Sequence, residues 1–269
     1  MGCLEGKVAF ITGAARAQGR SHAVRMAQEG ADVLAVDVCA AATAVNYEPA
    51  TPADLDDTAS AVEATGRRIV ARVLDVRDQV ALDEAVAAGV NALGGIDIVV
   101  ANAGVSSWGR FWEMPEQRWL DTIEVNLTGV WRTFRAAVPI MISQGRGGSL
   151  IAISSVAGLK ALPGEAHYSA AKHGVVGLTK AAAIELGPYG IRVNSVHPWG
   201  VDTPMAHDPD VTGMLEAHPS YAASFGSILP SPVIADPSDI SDAVVWLASD
   251  ASRCVTGIQL PVDMGATTV

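Results

Sequence analysis

Hydrophobic positions fall into short clusters separated by longer amphipathic stretches from one end of the chain to the other. VAFIT (8–12), DVLAVD (32–37), RIVARVLD (68–75), IDIVVAN (96–102), SLIAIS (149–154), IRVNSV (191–196) and IQLPVD (258–263) read as strands. Four of them are nearly continuous in apolar residues rather than alternating, the mark of parallel strands buried on both faces. Ser21 to Glu29, Gln79 to Leu93, Glu116 to Ile142, Tyr168 to Leu186 and Ser238 to Ala248 carry Ala, Val, Leu and Ile at helical spacing. Gly30 and Gly187 stand where helix C-termini want them. This alternation predicts an α/β chain with a doubly wound parallel sheet of about seven strands and helices on both faces. Two segments break the rhythm. Residues 38–58 are longer than the usual connection after a second strand, and residues 198–237 are rich in Pro, Gly and Ser; connections of this length are usually functional. The first reads as a functional insertion or as a tolerated surface loop, the second as a lid.

Composition narrows the class. In 269 residues, 49% are hydrophobic and 17% charged, which excludes a disordered or coiled-coil chain, and the length suits one catalytic domain over 1–269 with no second core. The charge sum of 18 − 29 = −11 argues against nucleic acid or an anionic membrane as partner. Cys3, Cys39 and Cys254 are odd in number, lack CxxC spacing and point to neither a disulfide framework nor a zinc site. No apolar run reaches the roughly 18 residues of a membrane span. The opening MGCLEGKVAF lacks the basic segment and long apolar core of a signal peptide, so a cytosolic location is expected. The sequon at Asn126 to Thr128 is then incidental.

The first strand runs into Thr12-Gly13-Ala14-Ala15-Arg16-Ala17-Gln18-Gly19-Arg20 and then a helix. Such a turn lets backbone N–H groups at a helix N-terminus approach a pyrophosphate, as in Rossmann-type domains. Asp37 closes the next strand, placed to accept hydrogen bonds from an adenosine ribose. Its carboxylate repels a 2′-phosphate, and Val38 and Cys39 offer no cation to reverse this, so NAD is favoured; Arg16 is the residue that would argue for NADP. Asp75, with Val76 beside it, and Asn102-Ala103-Gly104 end the third and fourth strands, where ligands bind in open α/β sheets.

Tyr168 and Lys172 are four apart in a helical stretch and project from one face. An ammonium near a phenol favours the phenolate and brings a tyrosine toward useful acid/base chemistry. Ser155 follows the fifth strand, where its hydroxyl can hold a carbonyl or alcohol oxygen beside the phenol.

Together these residues resemble the short-chain dehydrogenases/reductases. The likeness covers almost the whole chain: the Gly13 to Gly19 turn, Asp37, Asp75, Asn102-Ala103-Gly104, Asn126, Ser155, Tyr168-Ser169-Ala170-Ala171-Lys172, Asn194 to Pro198, Thr203 and Gly257 to Asp263. The resemblance implies that Tyr168 is the acid/base and Ser155 orients the substrate oxygen. It further implies that Lys172 lowers the phenol pKa and holds the nicotinamide ribose, and that Asn126 anchors a water in a proton relay. Pro198, Gly200, Val201 and Thr203 then border the cofactor, with Thr203 at the carboxamide. Two departures stand out. Ala17 replaces the usual middle glycine, where a slightly shifted loop is expected, and Trp199 separates Pro198 from Gly200. A closer likeness is to the carveol-dehydrogenase-like, mycofactocin-coupled branch, carried by residues 13–39, by Tyr47 to Leu55, and by Asn194 to Pro198 with Thr203-Pro204-Met205. That branch implies tightly held NAD covered by the insertion, with electrons leaving through a dedicated redox carrier.

Trp199, Met205, Met214, Leu215, Tyr221, Phe225 and Ile228, with Trp108, Phe111 and Trp112, are candidates for an apolar pocket over the nicotinamide. They favour a hydrophobic secondary alcohol or ketone, such as a terpenoid, over a sugar or charged acid. His167, His173 and His197 read as structural, and no metal-ligand constellation is present. Small residues along the Tyr168 helix (Ser169, Ala170, Ala171, Gly174, Gly177), with the family's habit, imply a homotetramer. A non-catalytic dinucleotide-binding protein is the reading from a different class; its signature, a lost Tyr, Lys or Ser, is missing.

Overall fold

β1 (Val8–Thr12), β2 (Asp32–Asp37), β3 (Ile69–Val73), β4 (Ile98–Ala101), β5 (Gly148–Ile153), β6 (Ile191–Pro198) and β7 (Gln259–Val262) pair in parallel in the order β3-β2-β1-β4-β5-β6-β7. The computed structural model describes residues 2–41 and 45–269. Strand side chains alternate between two cores. Ala9, Ile11, Val33 and Ala35 meet α1 (Ala17–Gln28), α2 (Pro52–Glu63) and α8 (Pro237–Ala248), whereas Phe10, Leu34 and Val36 meet α3 (Gln79–Leu93), α5 (Gly129–Gln144) and α6 (Ala166–Leu186). Because both faces are covered, β1, β2 and β4 are buried at every position, and each large aliphatic or aromatic side chain so buried contributes about 1.5–3 kcal/mol. Strand order reverses between β1 and β4, which opens a crevice at their C-terminal ends, the usual ligand position in such sheets. Among the described residues no helix is long and apolar enough to cross a membrane.

The seven expected strands all form, with ends shifted by one or two residues. Three helical features differ from the sequence reading. The segment 38–58 is only partly a loop: residues 42–44 lie outside the described residues, but Pro52 onward is α2, started by a capping box in which Thr51 Oγ1 and the Asp54 carboxylate each accept the other's backbone N–H. The segment 198–237 likewise contains α7 (Pro209–Ala217), capped by Asp208 with Pro209 in the first helical position. The expected helix 116–142 is three consecutive pieces, α4 (Glu116–Ile123), a π-turn (Glu124–Thr128) and α5. Gly187 is the C-cap of α6 as expected, in right-handed backbone (φ −52°), and leads a 3₁₀ turn that ends at left-handed Gly190 (φ +70°). Gly30 does turn left-handed, at φ +98°.

Candidate active site

The turn after β1 is shaped by two close approaches. A Cβ on Gly13 (φ +66°) would lie 2.8 Å from Ala103 Cα, and one on Gly19 only 1.9 Å from the Gly13 carbonyl oxygen, so neither position admits a side chain. Arg16 is the extended N-cap of α1 and supplies no side-chain cap. The first N–H groups of α1 therefore keep their donors and the positive end of the helix dipole for an anion. Ala17 does not shift the loop into ordinary backbone; it holds the left-handed conformation at φ +47°, which a glycine takes freely and an L-residue takes at a cost of roughly 1–2 kcal/mol. Arg16, Ala17, Gln18 and Gly19 all line the crevice, and Gln18 Oε1 is a buried acceptor with no hydrogen-bond partner.

The remaining walls come from strand ends. Asp37 is buried at the end of β2, with Oδ2 accepting from Ala15 N–H and Oδ1 from Cys39 N–H, both at 3.0 Å; the carboxylate is thereby fixed facing the cleft beside Val38. Asp75 and Val76 follow β3. Burial acts to raise the Asp75 carboxyl, but the side-chain and backbone N–H groups of Arg77 win and hold it below the usual carboxylate range. Asn102 donates from Nδ2 to the carbonyls of Thr12 (3.0 Å) and Gly13 (3.1 Å), tying the end of β4 to the glycine turn. Asn102, Ala103 and Gly104 line the cleft. A Cβ on Gly104 would meet Asn126 Oδ1 at 2.8 Å and Lys172 Nζ at 3.8 Å, so the bare backbone is what lets the strand end lie against both.

Asn126 is fully buried within the π-turn, a helical irregularity frequent at functional sites. Its side chain clamps the loop after β4, accepting from Val105 N–H (3.1 Å) and donating to Val105 O (2.8 Å) and Thr122 O (3.0 Å). Ser155, Tyr168 and Lys172 meet as expected, but their electrostatics differ from the expectation of a phenol lowered by a neighbouring cation. Burial raises the Tyr168 phenol, Glu165 raises it further, and a hydrogen bond with Ser155 opposes both. Burial also lowers Lys172 to about 7. Spacing reveals the pair; it does not reveal that both groups are desolvated, and in the protein itself desolvation outweighs their attraction.

Thr203 lines the cleft with Pro204 and Met205. Pro198, Gly200 and Val201 lie behind it: Trp199 N–H donates to Val262 O (3.3 Å), Ala235 N–H donates to Gly200 O (2.9 Å), and Val201 is buried in a bridge to Ala235. These three position Thr203. Around Tyr168 an apolar cluster gathers Val156, Leu162 and Ala266 with Trp199 and Phe225, and the Phe225 ring lies 5.7 Å from Trp108 and 6.0 Å from Trp199. Phe111 and Trp112 are corrections: they pack edge-on against each other on the surface, 71% and 61% exposed. Ile228 is also surface-facing, seated on Gly265. His167 and His197 are buried and held neutral, burial lowering both to about 4. His197 Nδ1 donates to the Ser155 carbonyl at 2.7 Å, so it fixes the backbone that presents the serine hydroxyl.

Several residues of the site escaped the sequence reading. Arg77 lines the cleft two residues after Asp75, paired with Asp75 and Asp121; the Asp-x-Arg spacing was its only trace. Ser106 and Ser107 staple the loop after β4 to the start of α6, Ser106 Oγ donating to Glu165 (2.5 Å) and Ser107 Oγ meeting His167 Nε2 (2.9 Å). Tyr47, by contrast, belongs to the insertion expected to cover the cofactor; it lines the cleft and accepts from Ser106 N–H at 3.4 Å.

Known proteins match this arrangement along its length. A family model described as enoyl-(acyl carrier protein) reductase matches residues 13–267. An uncharacterized NAD-dependent oxidoreductase of Mycobacterium tuberculosis is 55% identical over 267 residues, covering 98% of this chain and 97% of that protein. The (−)-trans-carveol dehydrogenase of Rhodococcus erythropolis is 44% identical over 276 residues, covering 99% of each chain. The crystal structure of carveol dehydrogenase from Mycobacterium avium in complex with NAD superposes with a TM-score of 0.95 at 48% identity, covering 100% of both chains. With the glycine turn, the Ser155–Tyr168–Lys172 cluster and this extent of similarity in place, the chain belongs to the short-chain dehydrogenase/reductase family of oxidoreductases.

Proposed function

We propose that this chain is an NAD-dependent dehydrogenase that interconverts an apolar secondary alcohol of the carveol kind and its ketone, with Tyr168 as the acid/base. The observation that carries the reading is the convergence of Ser155, Tyr168 and Lys172, with Tyr168 in an apolar cluster that includes Trp199 and Phe225 and Lys172 Nζ 3.8 Å from where a Cβ on cleft-lining Gly104 would lie. The residues present fit a dinucleotide: an uncapped helix N-terminus for a pyrophosphate, a fixed Asp37 carboxylate for a ribose, and the unpartnered Gln18 Oε1 on the same wall. Asp75 and Val76 border the adenine end; Asn102 to Gly104 and Thr203 border the nicotinamide end. When bound, NAD supplies the acceptor for the substrate's hydride.

The protein's own part is proton transfer and positioning. Ser155 Oγ holds the substrate oxygen beside the phenol. Tyr168 Oη takes the hydroxyl proton in oxidation and returns it in reduction, a contribution of typically 10²- to 10⁴-fold. Lys172 lies over the Tyr168 ring, and Asn126, whose side chain ties the π-turn to Val105 and Thr122, would anchor a water of the relay. Apolar packing around Tyr168 excludes bulk water and selects a substrate without charge.

NAD is preferred over NADP because Asp37 is fixed in the cleft, whereas Arg77 is engaged by Asp75 and Asp121. Val45, Tyr47, Pro49 and Ala50 wall the same cleft, which supports a cofactor covered by the segment after β2 and held tightly. In that case electrons leave through an external redox carrier of the mycofactocin kind. The same reading includes a single catalytic unit over 1–269, a cytosolic setting, and a homotetramer using helix faces such as that of α4 and α5, where Trp119, Leu120 and Trp131 are exposed.

The test is to purify the protein, dialyse it, denature it and assay released dinucleotide, then measure oxidation of (−)-trans-carveol and related alcohols. Retained NAD and carveol-type turnover are expected. An empty protein that oxidises charged hydroxy acids or sugars in preference would defeat the substrate assignment.

A further inference from the structure

Glu165 opens the first turn of α6: its carbonyl accepts the Ser169 N–H at 2.8 Å, and Tyr168 is three residues on. The carboxyl is buried, 5% exposed, and Oε1 accepts from Ser106 Oγ at 2.5 Å. Among the described residues no salt bridge joins it to a cation. Burial pushes it up to about 7, the Ser106 hydrogen bond only partly opposing this. A buried carboxyl of this kind, outside the cofactor cleft and beside the acid/base, has no structural need to be ionisable; a glutamine would make the same hydrogen bond.

Tyr168 is met by Ser155 from the end of β5, by Lys172 one turn on, and by Tyr47 and Glu165, whose negative forms disfavour the phenolate. Glu165 is met by Ser106, whose N–H in turn reaches the Tyr47 hydroxyl. Tyr47 is itself pushed up to about 12 by burial, with Arg16 and Asp208 as its nearest charges. His167, between Glu165 and Tyr168 in sequence, faces Ser107 and the charge of Arg118.

Resting on the reading of Tyr168 as acid/base, we propose that Glu165 is a positioning residue for that step, its ionisation controlling the pH at which Tyr168 can take the alcohol proton. A neutral carboxyl leaves the phenol's titration to burial, Ser155 and Lys172. An ionised one places a negative charge three residues before the forming phenolate, in a buried and poorly screened interior, where a neighbouring like charge moves a pKa by roughly one unit or more. The segment after β2 joins the arrangement through Tyr47, so the wall of the cofactor cleft is hydrogen-bonded through Ser106 to the Glu165 carboxyl, which acts on Tyr168 by its charge.

The experiment is a pH profile of kcat/KM for NAD-linked oxidation of the best apolar secondary alcohol, for the parent protein and Glu165→Gln. Glutamine keeps the shape and the acceptor for Ser106 but carries no charge. The acidic limb is expected to move down by about one pH unit, with the KM for NAD unchanged. Ser106→Ala, which removes the hydrogen bond favouring the ionised carboxyl, is expected to move the limb the same way by less. Limbs that superimpose in both variants overturn the role of Glu165; should Glu165→Gln not fold, Ser106→Ala alone decides. Tyr168→Phe, run in parallel, separates the two claims: if it retains full turnover the acid/base reading itself has failed, and if it is inactive while the limbs stay fixed, only Glu165 has.

Discussion

Lys172 Nζ lies 5.4 Å from the centre of the Tyr168 ring and donates its hydrogen bond to the Ile153 carbonyl at 2.8 Å. The amine is fully desolvated on that side of the sheet, and burial brings its pKa to about 7. A lysine whose folded pKa lies below its unfolded value of 10.5 binds fewer protons folded than unfolded between those two values, so the folded state gains stability as pH rises from about 7 toward 10. Replacing it by Met removes that dependence. The Tm of Lys172→Met relative to the parent is therefore expected to be most favourable near pH 7 and to decline toward pH 10, while alcohol oxidation is lost; differential scanning calorimetry across that range checks it, and a constant Tm difference would contradict it.

Asp37 fixes the loop and, on the proposed reading, sets the cofactor preference. Its two oxygens accept from Ala15 and Cys39, and a charged hydrogen bond of this kind is worth about 1.5–3 kcal/mol. Asp37→Ala is expected to weaken NAD binding by at least about 10-fold and to narrow the preference over NADP. Calorimetric titration with both dinucleotides measures it; an unchanged NAD affinity would remove Asp37 from the ribose site.

Ala17 is a site where function and stability can be separated. Its left-handed backbone at φ +47° costs roughly 1–2 kcal/mol that glycine avoids, against about 0.5–1 kcal/mol of extra chain entropy glycine loses on folding. Ala17→Gly is expected to raise stability by about 0.5–1 kcal/mol, or roughly 1–4 °C in Tm, with NAD affinity retained. A lower Tm in thermal unfolding would show that the methyl group packs more usefully than its backbone is strained.

Acid should unfold the protein through buried imidazoles. Burial holds His22 at about 3 and His167 and His197 at about 4. Because these folded pKa values are depressed below 6.5, the stability they confer is present above about pH 6.5 and is lost as pH falls through 4. Glu165 slopes the other way: raised to about 7, it stabilises below about 4.5 and loses this as pH rises to 7. Three groups outweigh one. Denaturant midpoints are expected to fall steadily from pH 6.5 to 4, and more steeply in Glu165→Gln; a midpoint that rises on acidification would show that the carboxyl dominates.

The sheet and most of the cleft were legible in the sequence because continuous apolar runs report two-sided burial, and because glycines and carboxylates at strand ends report the crevice. What the spacing concealed was environment. Tyr168 and Lys172 four apart gave the pair but not their shared desolvation, which reverses the expected direction of the phenol's shift. Helix α2 was written in Thr51-Pro52-Ala53-Asp54, a capping box inside a stretch read as insertion. Aromatic character gave no hint that Trp108 turns inward while Phe111 and Trp112 face solvent. The π-turn at Asn126 leaves no periodic trace, since hydrophobic positions on both sides of it continue a helical pattern. Glu165 needed the fold, because only the loop after β4 brings Ser106 to it.

The central claim is that the Tyr168 hydroxyl moves the substrate proton. Single-turnover oxidation of an apolar secondary alcohol, followed by NADH absorbance in the parent and in Tyr168→Phe with NAD binding verified in both, tests it directly. The account predicts a fall of roughly 10²- to 10⁴-fold in the rate with NAD affinity preserved; a Phe variant that reduces NAD at the parent's rate would contradict it.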